Sequence, residues 1–220
     1  MRDLNQLIIK FDYDQNFKDN DFYVSNSNKH IFELLNKWPK WERNFINISG
    51  EKFSGKSHLV NIFLSKFKGI KLKASELNNE DLKKVKLFEN IILEDLTSEV
   101  DENLVFSLFN IIESDNKFII VTSAIPIVKI KFLLDDLISR TKNFLLQHIE
   151  KPDDELIFAI ILKNLSDRQI LIDKKLIDFV IKRIDRSYSK IFHFIYKIDE
   201  LSLKKKRPID LKIVKEVLGE

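Results

Sequence analysis

Eight residues constrain this chain more than any others. Gly50 to Ser57 read GEKFSGKS, the pattern G-x-x-x-x-G-K-[ST], with Lys56 and Ser57 in its last two places. Glycine is scarce elsewhere. The 220 residues hold only four, where average usage of about 7% would give about 15, and two of the four lie in this window. A short β-type run, Phe45-Ile46-Asn47-Ile48, leads into it, and HLVNIFLSKF after it repeats apolar residues at helical spacing. Strand, glycine loop and helix in that order form a phosphate cradle, because loop N–H groups and the helix N-terminus supply positive potential. Lys56 adds a point charge, and the Ser57 hydroxyl is a ligand suited to Mg²⁺. The pattern therefore assigns Gly50, Glu51, Lys52, Phe53, Ser54, Gly55, Lys56, Ser57 and His58 to a nucleotide, ATP or ADP.

Such a loop needs an acidic partner at the end of a neighbouring strand. Residues 90–95, NIILED, give an apolar run ending in Glu94-Asp95. One carboxylate, Glu94, is expected to join Ser57 at the metal, and the other to polarise the attacking water. The run Lys117 to Ser123 ends in Thr122-Ser123, two hydroxyls suited to a terminal phosphate or its water.

Strand candidates at 45–48, 70–73, 90–94, 118–122 and 144–147 alternate with helical stretches at 56–67, 100–113 and 132–139. That alternation predicts an α/β fold, a parallel sheet covered by helices, with ligands at the carboxyl ends of its strands. After Lys151-Pro152 only helical periods remain, about four of them, beginning with acids in a first turn at Asp153-Asp154-Glu155. The expected division is residues 1–20, a nucleotide core at 21–150, and a small helical lid at 151–220. The run Lys204-Lys205-Lys206-Arg207 reads as a solvated turn between two lid helices.

Composition narrows the chemistry. Thirty-seven basic against 34 acidic residues leave a net charge of +3, which does not make nucleic acid the default partner. With no cysteine, a disulfide scaffold, a thiolate metal site and a cysteine nucleophile are excluded together. The four histidines, His30, His58, His148 and His193, have no zinc-hydrolase spacing. No apolar run approaches the roughly 20 residues needed to span a bilayer, and Met1-Arg2-Asp3 opens no signal peptide. A cytoplasmic protein without a membrane partner is expected.

The order of these parts resembles the AAA+ ATPases and, within them, the bacterial replication initiator DnaA, over about residues 20 to 218. FYVSNSNKHIFELL is similar to the family's approach to the nucleotide pocket, which implies a base near Phe22, Tyr23 and Val24. DLISR, ending at Arg140, is similar to the element bearing the arginine finger, and Arg186 in IDRSYSKI to the lid arginine that contacts nucleotide. Both roles suit a side chain that stays charged and presents a planar fork to phosphate oxygens. The sequence ends after the lid-like helices, so the resemblance is greatest to the truncated regulators of the Hda type. It implies docking on the DNA polymerase sliding clamp, stimulated hydrolysis of initiator-bound ATP, self-association as a further contact, and no sequence-specific DNA binding. Gln6-Leu7-Ile8-Ile9-Lys10-Phe11 is similar to a clamp-binding hexapeptide, with Gln6, Leu7, Ile9 and Phe11 as the partner contacts.

Two departures bear on turnover. Initiators usually carry two aspartates where this chain has Glu94-Asp95, and Ala124 stands where initiators are often acidic. These weigh against self-hydrolysis more than against nucleotide binding. The alternative reading is a loader or adaptor that delivers another replication protein to DNA as a nucleotide switch; a stand-alone ATPase is the third.

Overall fold

The computed structural model describes residues 22–220. Five strands, β1 (Phe45–Ser49), β2 (Gly69–Lys73), β3 (Asn90–Leu96), β4 (Phe118–Ser123) and β5 (Leu145–His148), form one sheet in the order β2-β3-β4-β1-β5. Every pairing is parallel. A parallel sheet needs cover on both faces, so its central strands read as continuous apolar runs rather than alternating ones. In β3, six of seven residues are buried, and in β4 five of six.

The sheet divides the core. Ile91, Leu93, Ile119 and Val121 face one side and pack on α4 (Glu102–Ser114) through Val105, Leu108, Phe109 and Ile112, with Leu137 of α5 (Asp135–Thr141) in the same cluster. Ile46, Ile48, Ile92 and Ile120 face the other side, against α1 (Lys29–Asn36) and α2 (Lys56–Lys66). There Trp38 and Trp41 wedge beneath the sheet edge, with ring contacts to Phe63 and Phe118, and Trp41 donates its indole N–H to the Leu34 carbonyl at 2.8 Å.

Beyond residue 153 the chain is helical: α6 (Asp154–Asp167), α7 (Lys174–Ile181), α8 (Tyr188–Lys205) and α9 (Leu211–Leu218). Each begins behind a capping side chain, Asp153, Asp173, Ser187 and Asp210, that accepts a first-turn N–H. Their apolar faces close on a cluster of their own, including Ile157, Ile161, Val180, Phe194, Ile195 and Ile213. Leu156 and Tyr188 instead reach into the sheet-side cluster of α1 and α2, pinning these helices to the core. The basic run at 204–207 closes α8: Lys206 is its left-handed C-cap and Lys205 pairs with Glu216 of α9. Two helices had no counterpart in the sequence periodicity, α1 and the short, charged α3 (Asn79–Val85). Among the described residues no helix is long and apolar enough to cross a membrane.

Candidate functional site

The carboxyl ends of β1, β3 and β4 meet at the 50–57 loop. Gly50 leaves β1 with its N–H on the Ser123 carbonyl at 3.2 Å. A Cβ at Gly50 would lie 2.9 Å from Ser54 Oγ and 3.1 Å from Ile149 Cβ, so a side chain there would have to displace both. Gly55, at φ +92°, turns the backbone into α2 through the left-handed region that favours glycine. Lys56 is buried and folds over the loop, its Nζ donating to the Gly50 carbonyl at 2.8 Å and the Glu51 carbonyl at 2.9 Å. Burial pulls its pKa below the usual lysine value, and the nearby charges of Asp95 and Glu51 partly restore it. Ser54 Oγ is buried without a hydrogen-bond partner among the described residues.

The two carboxylates at the end of β3 are separated by a bulge. Between Leu93 and Leu96 the register with β4 shifts, and Asp95 takes φ +56°, a left-handed conformation that aspartate tolerates better than most residues. Its N–H is held by Thr122 Oγ1 at 3.0 Å. Asp95 is thereby turned out toward Lys56, while Glu94 stays buried, with Oε2 3.3 Å from Lys71 Nζ and Oε1 unpartnered among the described residues. The oxygens of Ser57, Glu94 and Asp95 are the donor class that a magnesium ion takes, and the orphaned Oε1 of Glu94 is a lone pair still to be satisfied. Of the strand-end hydroxyls, Thr122 fixes the bulge, and Ser123 donates to the Ile125 carbonyl while accepting from Asn47 Nδ2.

Asn47 is a participant that no motif marks. Fully buried in β1, it donates to the Val121 carbonyl and Ser123 Oγ, and its Oδ1 accepts the Ile127 N–H at 2.9 Å. One side chain thus ties three segments beneath the loop.

On the opposite side, Phe22 stacks on Phe32, meets the ring of His58 edge-on, and lies beside Gly55. Tyr23 and Val24, next along, are exposed, and the Tyr23 carbonyl accepts from Asn28 Nδ2. Gln6, Leu7, Ile9 and Phe11 lie outside the described residues.

Glu51 turns away from the loop and joins the helical domain to it. Its carboxylate accepts from Ser187 Oγ and from the Tyr188 and Ser189 N–H groups at 3.0 and 3.1 Å, capping the N-terminus of α8. Burial alone would raise its pKa, but these hydrogen bonds outweigh that and hold it below the ordinary carboxylate value. Beside it, Phe53 stacks on Phe192 of α8, centroids 4.9 Å apart, and Lys52 lies over the Phe53 ring. Arg186, two residues before α8, extends instead to Asp154 at 2.6 Å.

Arg140, in α5, pairs with Glu113 of α4 and borders a cleft of about 270 Å³ shared with Phe106, Asp136, Ser139 and Asn143. None of the residues lining this cleft belongs to the loop at 50–57.

Residues 153–218 match the family model described as "Hda, lid domain". The DnaA initiator of Chlorobaculum tepidum is 30% identical over 122 residues, 56% of this chain and 25% of that protein. The fold superposes on domain III of the Thermotoga maritima DnaA with a TM-score of 0.74 at 18% identity, covering 93% of this chain and 96% of that one. Residues 153–218 thus resemble an Hda lid, and the fold as a whole is that of DnaA domain III. It aligns also with the AMPPCP-bound DnaA of Aquifex aeolicus, at a TM-score of 0.65 and 22% identity over 84% of this chain and 68% of that one. The chain spans between 24% and 55% of the length of the curated initiators it matches.

Proposed function

We propose that this DnaA/Hda-like chain is a nucleotide-binding regulator of replication initiation, with residues 21–150 as the nucleotide core and 151–220 as the lid. The observation that carries the nucleotide reading is the closed loop at 50–57: Gly50 tight against Ser54 and Ile149, Gly55 in the left-handed region, and Lys56 buried across it. ATP or ADP lies with its phosphates on the loop N–H groups and Lys56, and its base beside Phe22, Tyr23 and Val24. Mg²⁺, when bound, would neutralise phosphate charge, with Ser57 and Glu94 as the residues that hold it. Asp95 stands beside Lys56 as the second carboxylate, and Arg186 is the lid arginine on exchanging Asp154 for a phosphate.

In this reading Arg140 acts outside its own site. An arginine exchanging the Glu113 carboxylate for the terminal phosphate of ATP on a partner initiator trades one anionic oxygen partner for another, and the phosphate also offers its fork paired oxygens. The family match over the lid supports initiator DnaA as that partner. Gln6, Leu7, Ile9 and Phe11 would tether the chain to the sliding clamp.

Single-turnover hydrolysis of ATP preloaded on the initiator tests this, with the clamp on primed DNA and this chain added. Arg140→Ala is expected to reduce the stimulated rate at least about 100-fold and to leave clamp binding intact. Gln6→Ala/Phe11→Ala is expected to lose clamp binding. Full stimulation by the Arg140 variant would overturn the finger assignment.

A further inference from the structure

Lys71 has no part in the site as the motifs define it, yet among the described residues it makes the one ion pair of Glu94. The two are not neighbours by chance. In the β2–β3 register Lys71 lies opposite Ile92, so Glu94 is its diagonal neighbour, two residues on along the parallel strand and on the same face of the sheet. That is the face covered by α2, the helix that starts at Lys56. Lys71 Nζ is fixed there from two sides, donating to Asn61 Oδ1 of α2 at 2.9 Å and standing 3.3 Å from Glu94 Oε2. The lysine is partly open to solvent and the carboxylate is not, with side-chain exposures of 38% and 9%. A buried carboxylate needs a compensating charge. Glu94 has it in Lys71, independently of any ion.

We propose that Lys71 is a built-in counter-cation for Glu94 that makes nucleotide binding at the 50–57 loop largely independent of divalent metal. Two effects act in the same direction. The ammonium on Oε2 offsets much of the charge with which Glu94 would hold a dication, and it raises the cost of bringing one to Oε1. Phosphate charge is then met mainly by Lys56 and the loop N–H groups. The outcome is a site that retains nucleotide in either metal condition and leaves the polarising work to Asp95 alone. Lys71 is a positioning residue: it touches no phosphate and acts only through Glu94. The inference rests on the reading of the loop as a nucleotide site.

The test is titration of the whole chain with a fluorescent N-methylanthraniloyl-ADP, in excess magnesium chloride and in excess EDTA. For the native chain the Kd should differ by less than about threefold between the two buffers. For Lys71→Met the Kd in EDTA should be at least about tenfold weaker than in magnesium, because the uncompensated Glu94 carboxylate then repels phosphate unless a cation joins it. Lys71→Arg keeps the charge and should behave as the native chain does. Equal magnesium-to-EDTA ratios in the native and Lys71→Met chains would overturn the proposal, and a lower Tm for Lys71→Met with that unchanged ratio would make Lys71 structural only. Absence of ADP binding by the native chain in both buffers would instead overturn the nucleotide reading, and this proposal with it.

Discussion

The two halves of the molecule treat polar side chains in opposite ways. Every buried polar or charged side chain among the described residues, from Ser25 to Thr141 and including Asn47, Lys56, Glu94 and Thr122, belongs to the sheet domain, the amphipathic Tyr188 apart. The cluster joining α6 to α9 is closed by hydrophobic residues throughout. Burying polar groups costs free energy unless each is paired, and paired networks fix geometry more closely than apolar packing does. The sheet domain therefore spends stability on a particular arrangement of groups. The helical domain is held by volume and meets the site chiefly through Glu51 and Phe53.

That contrast can be broken by mutation. The largest effect on stability should come from the lid interior: Ile195→Ala, at a fully buried position in α8, is expected to destabilise the protein by about 3 kcal/mol in urea unfolding. Asn47→Ala should cost less, about 2 kcal/mol, for the loss of three hydrogen bonds, but should weaken ADP binding as well. Finding that Ile195→Ala alters ADP affinity as much as Asn47→Ala would erase the division of labour.

The smallest effect should fall on the joint between the halves. Glu51→Gln is expected to destabilise by about 1 kcal/mol at neutral pH, and the pH profile sharpens the point. The folded-state pKa of Glu51 lies below its reference value of 4.5, so its contribution is complete above that value and fades as pH falls from 4.5 through the lower folded one. Native and Glu51→Gln melting temperatures should therefore converge as the pH is lowered through that range; curves that stay parallel would show that the carboxylate does not bind the lid.

The strands were legible because they are buried on both faces. Continuous runs such as Ile91 to Leu93 and Ile119 to Val121 admit few other structures, and their observed bounds extend the sequence expectation by a residue or two. The glycine loop was legible because its pattern is local. Two helices were not. In α3, charged side chains dominate and only Val85 is buried, while α1 carries its apolar residues Ile31, Phe32, Leu34 and Leu35 within just eight residues, a single pair of turns. What joins distant segments was also invisible. Lys71 meets Glu94 only once the β2–β3 register is fixed, and Glu51 meets Ser187 across 136 positions of sequence. The alternation in Gly69 to Lys73 does carry half of the first signal, since it sets Lys71 and Lys73 on the face opposite Ile70 and Leu72.

The placement of the tryptophans has an optical consequence. The chain contains only two, Trp38 and Trp41, and both are packed against Phe63 and Phe118 beneath the sheet. Tryptophan emission, excited selectively, therefore reports chiefly on the sheet domain. A motion that swung α6 to α9 outward as a body would pass unseen in that channel, while an indole introduced at Phe192, against Phe53, would record it directly.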